Sequence, residues 1–456
     1  MSSYNRPYRG SNRGRGRGGY RSDYPRPTPQ ADLPPDRDIT EGLIVSQIVE
    51  TLEIPTEVGA KSKPTEIQNL EYVGSYNWSD AAHPTIIVPG KQHSCPSRKA
   101  HMSDLRYRVG SPPEWKGDPR VPFKLTPDAQ VQIIDQNGYR VPSAPFLPLM
   151  QAADAMGTDV DWPAVDFVTD RNGLRKLMRW IGGGEPKDFR IDLELAGEQT
   201  VLLNRWERRY REASSGYTFG LNFEEATTTL PQGCEKSTGH HRIVQYDFFD
   251  LKLVVRFEVD ACLPPARARA AEAKSSGNKQ QPTLDDLADA LSGLNVASPS
   301  GETSGQPGLS PTARGSESVT PSVRIVRAGV VVPQDAIIEL TTRSHNYVDQ
   351  LDWGNLYPQL YLSKTAHLYL GVHNRGTFSE IRKKDIGAPD LVPQRRGAEA
   401  GLRKLGRVLE MIQEIVIQHR DKRLSLVCAS GRLQVYERAG KGRCLPADVM
   451  GRFVSS

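Results

Sequence analysis

Two short stretches, residues 251–259 and 337–340, are apolar and rich in β-branched and aromatic residues, a pattern that predicts strands. Side chains alternate faces along a strand, so Glu258 and Asp260 project to one side, as do Glu339 and Thr341. Three carboxylates then converge from two strands. Carboxylates turned toward a folded interior are costly unless something neutralises them, and a hard divalent cation with oxygen ligands is the usual agent. Taken alone, the two strands fit a solvated sheet face better.

Around this pair the pattern predicts an alternation of strands and helices. Thr40 is placed to cap a short helix through Leu52, and residues 73–78 and 85–88 read as strands. Residues 130–136 predict a strand ending in a turn at Asn137-Gly138. A helix follows over 146–156, and a second begins near Arg171 with Thr169 or Asp170 as its cap. Residues 189–195 and 200–204 predict a hairpin, and 242–249 with 251–261 continue the sheet. Further strands are expected over 323–332, 335–343 and 366–372, and a closing hairpin over 424–427 and 433–436 turns at Ser430-Gly431. Between them lies a long amphipathic helix over 400–418. Its Leu402, Leu405, Leu409, Ile412 and Val416 face inward, and Arg403, Lys404 and Arg407 face out.

The pattern fails in three places. Residues 1–38 interleave arginine and glycine, with Arg13, Arg15 and Arg17 among tyrosines, before a proline-rich run. So little apolar surface predicts a disordered arm, and arginine and tyrosine both suit loose contact with single-stranded RNA; a solubilising tail fits the composition equally well. Residues 91–110 are polar, basic and aperiodic, and read as an insertion or an in-frame unspliced intron. Residues 263–321 are rich in Ala, Ser, Gly and Pro and predict a disordered insertion. Within it Leu284, Leu287, Leu291 and Leu294 keep helical spacing behind Thr283, the form of a short acidic helix that docks on a partner.

These stretches hold 12 of the 40 glycines and 14 of the 34 prolines and help lower the hydrophobic share to 37% of 456 residues. The rest suffices for one large domain in two parts, 39–262 and 322–456. A net charge of +5 says little about partners. Five scattered cysteines without C-x-x-C spacing argue against a disulfide framework or zinc site, and no apolar run reaches the length of a membrane span.

Five separated pieces then fall into a familiar order. Gly220-Leu-Asn-Phe-Glu224 resembles the Gly-Φ-x-Φ-Glu motif of the eukaryotic decapping exonuclease (DXO/Rai-type) family, a branch of the PD-(D/E)XK nuclease superfamily. Glu258-Val-Asp260 is similar to its Glu-Φ-Asp motif, and Glu339-Leu-Thr341 stands where the family has Glu-Φ-Lys. Upstream, the stretch beginning Arg171-Asn-Gly-Leu resembles the family's Arg-Gly-x-Leu-x-Lys-Leu. Downstream, Gln359 lies in a counterpart of its Gln-Ser-Phe-Leu. The likeness is nearest to the fungal branch.

The resemblance implies an α+β, PD-(D/E)XK nuclease-like fold with mixed central sheets flanked by helices. It implies that Glu224, Asp260 and Glu339, with Glu258, hold Mg²⁺ or Mn²⁺, and that Arg171 and Gln359 meet RNA phosphates. The expected activity is metal-dependent hydrolysis at RNA 5′ ends, as decapping, pyrophosphohydrolase or 5′–3′ exonuclease action in RNA quality control. The expected setting is the nucleus, with the cytoplasm as alternative, as a monomer beside a 5′–3′ exoribonuclease. The departure is Thr341, where a threonine supplies no charge. Arg256, two residues before Glu258 and on its face, is the nearest substitute cation, with Lys252 and Arg343 behind it. The alternative reading is a catalytically degenerate RNA-binding or scaffold protein; a DNA nuclease is a weaker third. His240-His241 are poor co-ligands because strand neighbours point apart.

Overall fold

The computed structural model describes residues 33–56, 63–90, 110–183, 186–264, 322–440 and 442–454. In chain order the strands are β1 (Leu43–Leu52), β2 (Gln68–Ser79), β3 (Thr85–Val88), β4 (Glu114–Trp115), β5 (Phe123–Lys124), β6 (Val131–Ile133), β7 (Phe167–Asp170), β8 (Phe189–Ala196), β9 (Thr200–Trp206) and β10 (Arg211–Ala213). They continue with β11 (Thr228–Thr229), β12 (Ser237–Phe248), β13 (Leu251–Val259), β14 (Ala261–Cys262), β15 (Arg324–Arg327), β16 (Ile337–Ser344), β17 (His367–Asn374), β18 (Thr377–Asp385), β19 (Leu424–Ala429) and β20 (Arg432–Arg438). The helices are α1 (Gln136–Arg140), α2 (Leu147–Met156), α3 (Arg171–Ile181), α4 (Gly220–Thr227), α5 (Trp353–Leu362), α6 (Val392–Gln418) and α7 (Ala447–Met450).

The class is α+β, with mixed sheets flanked by helices. An 11-stranded sheet runs β1-β20-β19-β8-β9-β7-β13-β12-β2-β3-β15, and a 7-stranded sheet runs β11-β4-β14-β16-β17-β18-β5. One face of the larger sheet packs on α3 and α6 through Leu174, Leu177, Leu405, Leu409 and Ile412. Its other face packs on α2 through Phe146, Leu149 and Met150. The smaller sheet has its own core around Trp115, Phe223, Ile338 and Phe378.

After β13 one residue carries the chain from the large sheet to the small one. Asp260 lies between β13 of the large sheet and β14 of the small one. Because Ala261 pairs with Ile338, Asp260 comes to stand beside Glu339 of β16. On β13's other side, β7 runs parallel with Asp170 opposite Arg256, so α3 begins against Phe257.

Several elements differ from expectation. Residues 43–52 form a strand, not a helix: Ile44, Val45, Ile48, Val49 and Thr51 are β-branched, and β20 offers an antiparallel partner. Asn137-Gly138 is no hairpin turn but part of α1, because Asp135 accepts hydrogen bonds from both backbone N–H groups and caps a helical turn. Residues 323–332 contribute only the four-residue β15, and α6 starts at Val392, with a proline in its first turn, instead of at 400. The inward face expected of α6 is buried as read. Arg13, Arg15, Arg17, the Leu284–Leu294 segment and nearly all of 91–110 lie outside the described residues. Among the described residues no helix is long and apolar enough to cross a membrane.

Candidate active site

Three elements and the residue that joins the two sheets bring the carboxylates together. Glu224 comes from α4, whose first turn is held by the buried Asp128: its carboxylate accepts from the N–H groups of Asn222 (3.0 Å) and Leu221 (3.4 Å). Glu258 ends β13, Asp260 sits at the crossing between sheets, and Glu339 projects from β16. The Leu340 N–H donates to Asp260 Oδ2 at 2.8 Å, fixing the crossing residue against β16.

Arg171 and Gln359 close on Glu339. Arg171 Nη1 donates to Glu339 Oε2 at 3.0 Å and to Ser363 Oγ at 3.1 Å, while Gln359 Nε2 donates to Glu339 Oε1. Ser363 donates in turn to the Gln359 carbonyl, locking the end of α5 onto the site. Arg171 also lies over the Phe257 ring, 5.6 Å from its centroid. Residues 168 and 20 apart in sequence from Glu339 thus share one carboxylate.

The cluster is electrostatically strained. Burial, then Glu258, Glu339 and Asp128, pushes Glu224 up to about 8. Asp260 is raised well above the carboxylate range by burial and by Glu339 and Glu224, against the opposing Leu340 N–H and Arg171. Glu258 is raised by its depth in the fold, with Arg205 and Arg171 opposing. Its side chain nonetheless meets solvent at the cleft floor, so that shift is softened by water. The four carboxylates are a hard-oxygen donor set suited to Mg²⁺ or Mn²⁺. As they stand, no three His, Cys, Asp or Glu side chains among the described residues are spaced to hold a metal ion, and both Glu339 oxygens are engaged.

The substitute cations are placed as follows. Arg256 is 1% exposed; it donates to Asp170 Oδ1 (2.6 Å) and Oδ2 (3.0 Å), to Tyr76 Oη (3.2 Å) and to the Pro145 carbonyl (2.8 Å). Four of a guanidinium's five donors are therefore committed to the fold, so Arg256 is a poor stand-in for a mobile lysine. Lys252 is six residues from Glu258, about 20 Å along β13. Arg343 is exposed two residues beyond the half-buried Thr341. Among the described residues, the cation in contact with the cluster is Arg171.

A cavity of about 200 Å³ adjoins the cluster and is lined by Arg171, Arg175, Arg205, Arg256, His241 and Glu258, among others. Sequence reasoning missed Arg175, although its position one helical turn after Arg171 puts both on one face of α3. His240 and His241 point apart as expected. His240 Nδ1 meets Asn77 Oδ1 at 2.9 Å, and His241 stacks on Tyr76 at 5.1 Å between centroids and 4° between planes.

The profile of a family described as a domain of unknown function (DUF8563) matches residues 48–454. The chain belongs to that family. No curated protein matches. Among solved structures, the chain is similar to S. pombe Rai1 in complex with 3′-FADP, at 15% identity and a TM-score of 0.46 over 85% of this chain and 99% of that one. Scheffersomyces stipitis Rai1 gives 11%, 0.49, 89% and 97%. Candida albicans Rai1 in complex with pU5-Mn²⁺ gives 10%, 0.49, 89% and 99%.

Proposed function

We propose that this member of the family is a metal-dependent hydrolase of RNA 5′ ends with a PD-(D/E)XK-type site. The observation that carries the reading is convergence: Arg171, Glu224, Glu258, Asp260, Glu339 and Gln359, singled out from five separate sequence pieces, meet at one junction between two sheets. A solvated sheet face gives no reason for that meeting.

Glu224, Asp260 and Glu339, with Glu258, would hold the metal, which when bound activates water and offsets charge on the phosphate. Arg171 has a planar fork suited to phosphate and exchanges its Glu339 contact for a substrate oxygen. Gln359, freed from Glu339 in the same exchange, orients the phosphate or the attacking water. In the reaction a water oxygen bonds to phosphorus and the P–O bond to the leaving pyrophosphate or cap breaks. On this reading the protein acts in the nucleus, as a monomer, beside a 5′–3′ exoribonuclease.

Thr341 favours the second reading, an RNA-binding protein with a decayed site, because losing a preorganised cation costs about two to three orders of magnitude in rate. The test is hydrolysis of 5′-triphosphorylated, unmethylated-capped and NAD-capped RNAs with Mg²⁺ or Mn²⁺. Wild type is expected to release product that disappears in Glu258→Ala/Asp260→Ala. No turnover by wild type, with turnover by Thr341→Lys, decides for the decayed site.

A further inference from the structure

The cavity beside the carboxylates shares Arg171 and Glu258 with them but contains none of Glu224, Asp260 and Glu339. Three polar groups on its wall have no partner among the described residues. Asn172 Oδ1 and His241 Nδ1 are buried and unbonded, and Arg175 makes neither a hydrogen bond nor an ion pair. Folded proteins leave few buried polar atoms unsatisfied, and two of them beside an unpaired, half-buried guanidinium mark the outline of a ligand. His241 is 6% exposed, and its ring is fixed by the stack on Tyr76, so the orphan nitrogen is held in place.

The sign of the ligand follows from the charges. Arg256 and Asp170 cancel each other, Arg205 is paired with Glu207 at 2.7 Å, and the two further carboxylates of the lining face other arginines, Asp135 toward Arg205 and Glu258 toward Arg205 and Arg171. Arg175 is half-buried among Arg171, Arg179 and Arg205, with Glu339 as the carboxylate that supports its charge. Burial, and Arg171 beside it, pull its pKa down to about 10. An anion would relieve that cost. A second cavity of about 240 Å³ continues from the first, sharing Ile134, Asn172 and Arg205, and adds Arg179, one turn beyond Arg175 on α3, and Lys187.

We propose that the first cavity is a phosphoryl-binding site in which Arg175 is the principal ligand and Asn172 and His241 are the neutral donors. A guanidinium fork matches phosphate oxygens, a neutral imidazole offers one N–H, and rotation of the Asn172 amide presents its NH₂. The volume suits this class. It exceeds several times the ~30 Å³ of a water and falls below the ~300 Å³ at which drug-sized pockets begin, so it has room for a phosphate or pyrophosphate. That the anion comes from an RNA 5′ end rests on the function proposed above; the preference for an anion does not. The phosphate has two sources, a 5′-phosphate still attached to its chain or released pyrophosphate.

Calorimetric titration of the full chain in chelator separates them, with inorganic pyrophosphate as one probe and 5′-phosphorylated against 5′-hydroxyl pentauridylate as the other. Wild type is expected to bind pyrophosphate, or to prefer the phosphorylated oligomer, and Arg175→Ala to lose at least tenfold. Arg175→Lys, which keeps the charge without the fork, loses less, and melting curves confirm that both variants fold. Equal affinity in wild type and Arg175→Ala, or no binding of either probe, overturns the site. Binding without turnover on any RNA sinks the hydrolase and leaves the site; turnover without binding does the reverse.

Discussion

At the scale of single residues, Glu339 is the most informative. Its two oxygens are divided between Arg171 and Gln359, while burial and the neighbouring carboxylates raise the pKa of Asp260 and Glu224. Binding of a divalent ion to the folded state alone should therefore stabilise it, by about 2.7 kcal/mol at a hundred times the dissociation constant. Melting in chelator against millimolar Mn²⁺ checks this: wild type gains melting temperature, and Asp260→Asn/Glu339→Gln does not. A second prediction concerns His240, 1% exposed and kept neutral by burial, with Arg242 and His241 adding to the effect. Its folded pKa lies well below 6.5, so between the two values the unfolded chain binds more protons. Stability then rises with pH and is lost as pH falls below about 6.5, at roughly 1.4 kcal/mol per pH unit for one such group. His241 and the raised carboxylates of the site titrate in the same window, so urea titrations from pH 5 to 7.5 should show this slope in the difference between wild type and His240→Gln. The four carboxylates, Arg171 and Gln359 were legible in the sequence because short motifs name residue types. Arg175 was not, because an arginine on a helix reads as a solvated face until its neighbours are known. Arg256 was half legible: period-two alternation put it on the face of Glu258, and only the fold reveals that Asp170 claims its guanidinium.

At the scale of elements, α6 shows how local rules and packing divide the work. Its apolar stripe was plain from helical spacing, yet its glycines look alike in sequence and differ in place. A Cβ at Gly406 would overlap the ring of Phe249, whereas Gly397 is exposed with nothing within 4 Å. Gly406→Ala is thus expected to destabilise by about 1–3 kcal/mol through overpacking. Gly397→Ala should stabilise by roughly 0.5–1 kcal/mol through helix propensity alone. Opposite shifts of the urea midpoint would confirm the pair; shifts of the same sign would show that α6 does not seat against Phe249 as described. The first strand teaches the complementary lesson. A cap at Thr40 suggested a helix, but a strand in need of an edge, β20, decided the matter, and that partner lies nearly four hundred residues away. The Ser430-Gly431 turn was readable because both residues take positive φ, 49° and 78°, which suits a two-residue hairpin.

At the scale of the whole molecule, the parts on either side of residues 265–321 are woven together. In the large sheet β20 and β19 lie between β1 and β8, and β15 adds to β3; in the small sheet β16 pairs with β14. Strands from the later part thus fill places that the earlier part leaves open. The site is divided the same way, with Arg171, Glu224, Glu258 and Asp260 before residue 265 and Glu339 and Gln359 after residue 321. A chain cut at a protease site engineered within 265–321 should therefore stay as one particle. Its fragments should co-elute in size-exclusion chromatography and part only in denaturant, since each loses paired edges and buried apolar surface on leaving. The cut complex should keep the divalent-ion stabilisation of the intact chain, because the carboxylates meet through sheet pairing and not through the connecting segment. Fragments that separate in buffer would mean that the two parts fold as neighbours instead of as one interleaved domain. The junction at Asp260 and Glu339 would then need the covalent link to hold it.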